Sequence, residues 1–218
     1  GGTWYWNRYP GARCDVERVA YCYSFSPEIT AEWNWSERFA TQAEILDYIR
    51  FTADRLDLRR DISFNTRVTA AHYDQDANLW RVTTDQGQTV TARFCIAATG
   101  CLSASRLPDI PGIDRFKGQV IQSAHWPEQP VDFKGKRVGI IGTGSTGIQI
   151  IPVVAAQAGH TFVFQRTPAY SVPARNALLS DHYRVAVKDH FPELTRQLRA
   201  GLLHGNSDLP IPGEERLP

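Results

Sequence analysis

Apolar and polar positions change their period along this chain, and the changes divide it. From Gln42 to Leu56, the residues Ile45, Leu46, Ile49, Ala53 and Leu56 fall at helical spacing, which predicts an amphipathic helix. Ahead of it lies an aromatic-rich stretch holding Trp4, Tyr5, Trp6, Tyr9, Trp33 and Trp35, within which Tyr21, Tyr23 and Phe25 alternate as in a short extended segment. After Leu58 the period shortens. Ile62–Phe64, Arg67–Ala71, Leu79–Thr84 and Thr89–Ala92 read as strands, with Asp85-Gln86-Gly87 turning the chain between the last two. Phe94-Cys95-Ile96-Ala97-Ala98 is an unbroken apolar run stopped by Thr99-Gly100, the pattern of a buried strand entering a tight turn.

Pro108, Pro111, Pro127 and Pro130 then mark a connection between domains. Beyond it Arg137–Ile141 reads as a second buried strand, Gly142 to Gly147 as a glycine loop, Ile148 to Ala158 as a helix and Thr161–Gln165 as a strand, which together make one βαβ unit. From Ser180 onward the pattern is helical and polar, with Pro192 starting or breaking a turn. Pro210, Pro212 and Pro218 crowd the end, where no fold closes.

Composition narrows the function classes. The 218 residues carry a net charge of +1, which gives no reason to expect nucleic acid or an acidic membrane as partner. No apolar run approaches the roughly 20 residues of a transmembrane helix, and no signal peptide is visible. Cys14, Cys22, Cys95 and Cys101 form no CxxC pair and suggest neither a metal site nor a disulfide framework; they read as free thiols of a cytoplasmic protein. The chain contains no methionine and opens on Gly1-Gly2-Thr3, which fits a piece cut from a longer polypeptide.

Gly142-Thr143-Gly144-Ser145-Thr146-Gly147 fits G-x-G-x-x-G in the context that gives the motif meaning: a strand before it, a helix after it, and a second strand starting 14 residues past the last glycine. Gly142 permits the tight turn, Gly144 lets the backbone approach a pyrophosphate, and Gly147 lets helix and strand pack closely. The helix N-terminus presents N–H groups and partial positive charge to the phosphates. At the end of the second strand an NAD site usually carries an acid for the ribose 2′-hydroxyl. Here Gln165-Arg166-Thr167 stands instead, and Arg166 suits a 2′-phosphate, so the expected cofactor is NADP. The turn Ala97–Gly100, at the end of another strand, suits a second dinucleotide domain. Two such domains suggest a flavin taking electrons from NADPH. The fold class expected is therefore α/β, with two Rossmann-like dinucleotide-binding domains, for FAD and NADP, here incomplete.

Gly2-Thr3-Trp4, Tyr9-Pro10-Gly11 and Asp15 match the pattern G-x-W…[FY]-P-G-x-x-x-D of the type I Baeyer–Villiger monooxygenases. A second fingerprint of that family, F-x-G-x-x-x-H-x-x-x-W-P, falls on Phe116, Gly118, Trp126 and Pro127, and the glycine loop followed by Gln165-Arg166-Thr167-Pro168 is a third shared element. The chain resembles this family from residue 1 to about 176. The resemblance implies an FAD- and NADPH-dependent monooxygenase that uses O2 to turn ketones into esters or lactones through a peroxyflavin. It places part of an FAD-binding domain at 1–103, without its first βαβ unit. A linker and partial NADP-binding domain follow at 104–172, and the start of a helical insert at 173–218.

By the same resemblance Thr3, Trp4 and Trp6 line the flavin, with Asp15 and Tyr21 touching it. Asp15 takes a direct part in the chemistry by tuning an arginine from a segment beyond Pro218. Arg13 and Cys14 lie near the NADP, Val68 near the adenine side of FAD, and Thr99 and Gly100 at the domain crossing. Gly142, Thr143, Gly144, Ser145, Thr146, Gly147, Gln149, Arg166 and Thr167 complete the nucleotide-binding set. One departure stands out: Gln122 occupies the fingerprint histidine position, and His125 sits just before Trp126. Glutamine hydrogen-bonds but does not titrate, so binding is expected to survive with poorer coupling. The alternatives are another two-cofactor flavin monooxygenase acting on nitrogen or sulfur, and an NADP-binding pseudoenzyme whose coupling is lost at Gln122. The 218-residue chain alone is expected to be inactive.

Overall fold

The computed structural model describes residues 1–200, and the chain divides into two units. One joins Gly1–Thr52 to the chain from Ser105 onward; the other is Ala53–Ala104. The sequence beyond residue 200, including Pro210, Pro212 and Pro218, lies outside the described residues.

In the first unit the aromatic N-terminal stretch forms short helices: α1 (Thr3–Trp6), α2 (Arg18–Tyr21) and α3 (Pro27–Glu32), followed by α4 (Gln42–Arg55). Pro27 stands in the first turn of α3, where its missing N–H has no helical partner to lose, and the Ser26 hydroxyl accepts from Ile29 N at 3.3 Å. The alternating Tyr21, Tyr23 and Phe25 do not make a strand. Tyr21 ends α2, and the Tyr23 N–H donates to the Tyr48 hydroxyl at 2.9 Å instead of to a neighbouring strand. The Tyr23 ring stacks on Tyr48 at 5.6 Å, so packing against α4 overrides the period-two pattern. The amphipathic helix forms where expected, but its buried stripe is Ile45, Tyr48 and Thr52, and Leu56 is exposed.

The second unit is a meander of three antiparallel strands, β1 (Val68–Asp74), β2 (Leu79–Thr84) and β3 (Thr89–Ala92). Gly87, at φ 75°, makes the β2–β3 turn, and the register shifts once between Val68 and Ala70. Two expected strands do not form. Ile62–Phe64 follows a 3₁₀ turn with Ile62 and Phe64 exposed, and Phe94–Ala98 is irregular with Phe94 80% and Ile96 88% exposed. A buried strand needs ladder partners and covered faces, and no strand among the described residues pairs with either run.

The chain then returns to the first unit. β4 (Arg137–Ile141), α5 (Ser145–Ala155) and β5 (His160–Phe164) form the expected βαβ unit, with β4 and β5 parallel and in register from Arg137 opposite His160 to Ile141 opposite Phe164. The helix starts three residues earlier than its apolar spacing suggests, because Ser145, Thr146 and Gly147 are its first turn. Two further helices, α6 (Asp181–Asp189) and α7 (Phe191–Arg199), bear out the helical reading after Ser180, which caps α6 by accepting from Tyr183 N at 3.1 Å; Pro192 sits at the start of α7.

Two apolar clusters hold this unit. One joins Val19, Ile29, Trp35, Ile45 and Tyr48 to Tyr183, Val187, Phe191 and Leu194, so α6 and α7 close over the N-terminal helices. The other centres on Phe133, Ile150 and Val154 between α5 and the parallel strands, with Tyr9 packed against it. No helix among the described residues is long and apolar enough to cross a membrane.

Candidate dinucleotide site and fingerprint loop

The glycine loop leaves β4 and enters α5 in three steps that the glycines make possible. Gly142 has φ 102°, a region side chains disfavour, and its N–H donates to the Phe164 carbonyl at 2.9 Å, tying the loop to the end of β5. A Cβ on Gly147 would stand 2.3 Å from the Gly142 oxygen, so a larger residue would push α5 off the strand. A Cβ on Gly144 would meet nothing within 4 Å; the space before this residue is open. Gly144 caps α5, and Ser145, Thr146 and Gly147 bring first-turn N–H groups that have no acceptor within a helix. Open space before Gly144, a close-packed Gly147 and the positive end of the helix fit a pyrophosphate.

Gly142, Thr143 and Gly144 line an open cleft of about 850 Å³ together with Arg166 and Thr167, which follow β5. Gln165 Nε2 donates to Thr143 Oγ1 at 2.8 Å, fixing the loop against the strand end. Arg106 and Asp109, from the proline-rich connection, line the same cleft. Arg106 carries no sequence pattern of its own, being one cation in an aperiodic segment.

The N-terminal fingerprint packs on the same helix. Gly11 has φ 81°, and a Cβ there would stand 2.3 Å from the Gln149 carbonyl oxygen. The Gln149 side chain spans the loop: Oε1 accepts from the Tyr9 hydroxyl at 3.1 Å and from Arg13 N at 3.2 Å, while Nε2 donates to the Arg13 carbonyl at 3.2 Å and to the Asp15 carboxylate. Asp15 does not cap α2; Glu17 stands at that position, without a side-chain cap. Residues 12–14 are also held by the strand-like partner 40–42, through Cys14 N to Ala40 O at 3.0 Å and Gln42 N to Ala12 O at 2.9 Å. Arg13 pairs with Glu37 at 3.3 Å, and Asn176 donates to the same carboxylate.

Trp4 and Tyr21 come together: Trp4 Nε1 donates to the Tyr21 hydroxyl at 2.9 Å and the rings meet edge to face at 5.6 Å. Gln42 Nε2 donates to the Trp4 carbonyl, anchoring α1 to α4. Thr3 is exposed, as is Trp6 at 61%. Burial raises the Cys14 thiol and the Tyr21 hydroxyl above their ordinary pKa values, so both are neutral near pH 7. Gln122 Oε1 and His125 Nδ1 lie 3.1 Å apart, so the residue at the fingerprint position and the nearby histidine form one pair. Val68 at the start of β1, Thr99 and Gly100 (φ 75°) belong to the second unit, where all three are exposed.

This combination of a dinucleotide loop with a second fingerprint locked onto its helix has clear relatives. The model of the flavin-binding monooxygenase-like family matches residues 15–197, and the chain belongs to that family. It is 50% identical over 206 residues to 2-oxo-Δ(3)-4,5,5-trimethylcyclopentenylacetyl-CoA monooxygenase of Pseudomonas putida, covering 92% of this chain and 38% of that protein. It is 47% identical to a Baeyer–Villiger monooxygenase of Pseudooceanicola batsensis, over 91% of this chain and 36% of that one. Among solved structures, oxidized steroid monooxygenase bound to NADP superposes with a TM-score of 0.84 at 56% identity, over 91% of this chain and 38% of that chain. The expected α/β fold is thus borne out, and the chain spans less than two-fifths of the length of these relatives.

Proposed function

We propose that this chain forms the nucleotide-clamping part of an FAD- and NADPH-dependent monooxygenase that oxidises small ketones to esters or lactones with O2. The observation that carries the reading is Gln149, whose side chain ties Arg13 and Asp15 of the Baeyer–Villiger-type fingerprint to the helix of the glycine loop. Bound NADPH and FAD would supply the electrons and activate dioxygen.

The protein's own residues do the binding and positioning. Gly142 to Gly147 hold the pyrophosphate of NADP, and Arg166 with Thr167 takes the 2′-phosphate. Trp4, Trp6 and Tyr21 form an aromatic face for the flavin ring that keeps water away, with Thr3 beside it. Trp4 is fixed for this by Tyr21 and Gln42. Asp15 keeps acceptor capacity, since a carboxylate has about four lone-pair sites and Gln149 takes one of them. It is assigned to orient a guanidinium beside the reacting centre, with Arg13 and Cys14 next to the nicotinamide nucleotide. Val68, Thr99 and Gly100 contribute from the FAD side. In this reading 1–103 is part of the FAD-binding domain, 104–172 the linker and part of the NADP-binding domain, and 173–218 the start of a helical insert.

The test is NADPH consumption in air by the protein expressed from its complete open reading frame, with a panel of ketones, amines and thioethers. Ketone-stimulated consumption with ester or lactone formed is the expected result. Oxidised amine or thioether without ester would replace it with the nitrogen- or sulfur-oxidising reading.

A further inference from the structure

A second site lies away from the dinucleotide cleft, between α2, the segment after α3, and α6. A cavity of about 20 Å³ is lined there by Arg18, Trp33, Trp35, Tyr48, Arg184 and Lys188, among others. Arg18 is 4% exposed and its guanidinium lies over the Tyr183 ring at 5.0 Å, yet among the described residues its Nε and Nη2 have no hydrogen-bond partner; nor have Trp33 Nε1 and Arg184 Nε. Four such donors on residues that line one small space is unusual, because buried polar groups are almost always paired.

The charges point the same way. Among the described residues, three cations line the cavity and no carboxylate does. Glu17 is engaged by Arg38, and Glu44 accepts from Ser36 N through its other oxygen, leaving Oε2 buried without a partner outside the lining. Arg184 pairs through Nη2 with the exposed Asp181 at 3.2 Å, and its Nε is buried without a partner among the described residues. Lys188 spends two contacts on Ala31 O at 2.6 Å and Asn34 Oδ1 at 2.7 Å, and an ammonium has a third proton to give. Burial lowers the Arg18 pKa, more than the nearby Tyr183, Cys22, Glu17 and Glu44 raise it.

We propose that this cavity binds one small monatomic anion, of the halide class, which clamps α2 to α6. Among the described residues, every buried unpartnered side-chain atom of the lining residues is a donor, so an occupant that accepts answers them. The volume suits a single particle, since one water needs roughly 10–15 Å³, and it excludes phosphate or a carboxylate-bearing metabolite. Water would answer the donors but not the charge. Its own hydrogens need acceptors, and Cys22 Sγ already receives Trp35 Nε1 at 3.2 Å while Asn34 Oδ1 receives Lys188.

The test is the thermal unfolding of the full chain at constant sodium concentration, with gluconate replaced stepwise by bromide, together with anomalous diffraction from a bromide-soaked crystal. The expected result is a saturable rise of a few degrees and a bromide peak beside Arg18 and Trp33. Trp33→Phe, which removes one donor and keeps the ring, shifts the bromide midpoint several-fold upward, and Arg18→Gln abolishes the dependence. Equal melting in gluconate and bromide, identical bromide curves for wild type and Trp33→Phe, or no peak in the cavity each overturn the proposal.

Discussion

Gln149 on α5 and Asp15 beyond the fingerprint loop are joined side chain to side chain, and the same glutamine also brackets the backbone of Arg13. The amide answers two donors and two acceptors at once, which no other side chain of its size does. Gln149→Leu should cost about 1–2 kcal/mol in urea unfolding, the penalty for partly buried groups left unpaired. Gln149→Glu should be worse at neutral pH, because it sets a carboxylate against Asp15. Protonating the introduced carboxyl restores a donor, so its deficit should shrink as the pH is lowered. An unchanged deficit at lower pH would mean the two groups do not face each other in solution.

The three loop glycines should separate by assay. Gly144→Ala places its methyl in open space, so the melting temperature should hold while NADP⁺ affinity falls about tenfold or more, because the methyl occupies the approach of the pyrophosphate. Gly147→Ala drives a Cβ to within 2.3 Å of the Gly142 oxygen. It should lower the melting temperature as well as affinity. Calorimetric titration and a melt on both variants check this; equal melting losses would remove the distinction between close packing and ligand approach.

The βαβ unit and its loop were legible in the sequence because each link is local: a strand, a glycine motif, a helix and a strand within 137–165. The β2–β3 hairpin was legible for the same reason, with the Asp85-Gln86-Gly87 turn between two short strands. What failed needed long-range information. Phe94–Ala98 has the composition of a buried strand, but composition does not supply the neighbour a ladder requires. The Tyr21–Phe25 alternation lost to the rings of α4 and its surroundings, which lie more than twenty residues away in sequence. In the candidate site, the residue types followed from motif and resemblance. The junction at Gln149 spans more than 130 positions, and no spacing rule reaches that far.

Arg166 is the proposed discriminator between NADP and NAD. A charge-assisted contact of this kind contributes about 1.5–3 kcal/mol, so Arg166→Ala should reduce the preference for NADP⁺ over NAD⁺ by roughly 10- to 100-fold, with NAD⁺ affinity little changed. Arg106 lines the same cleft, and Arg106→Gln should weaken NADP⁺ with a smaller effect on selectivity. Equal losses for both nucleotides in Arg166→Ala would move this guanidinium from the 2′-phosphate to the pyrophosphate.

Alkaline pH should unfold this protein through groups that burial keeps neutral. The Cys14 and Cys22 thiols and the Tyr21 hydroxyl are raised by burial, and Tyr48 is pushed up to about 12. In the unfolded chain thiols ionise near about 8.5 and tyrosines near about 10. The unfolded state therefore sheds protons first. The stabilisation is fully present below about pH 8 and is lost as pH rises through the folded-state values. Denaturant midpoints should be flat from pH 7 to about 8 and then fall steadily toward pH 11. Tyr48→Phe should start about 1–2 kcal/mol lower, because the Tyr23 N–H loses its acceptor, but its decline above about pH 10 should be shallower. Iodoacetamide should label exposed Cys95 and Cys101 well before Cys14 and Cys22. A midpoint that holds to pH 11 would mean these groups ionise in the folded protein as freely as in the unfolded chain.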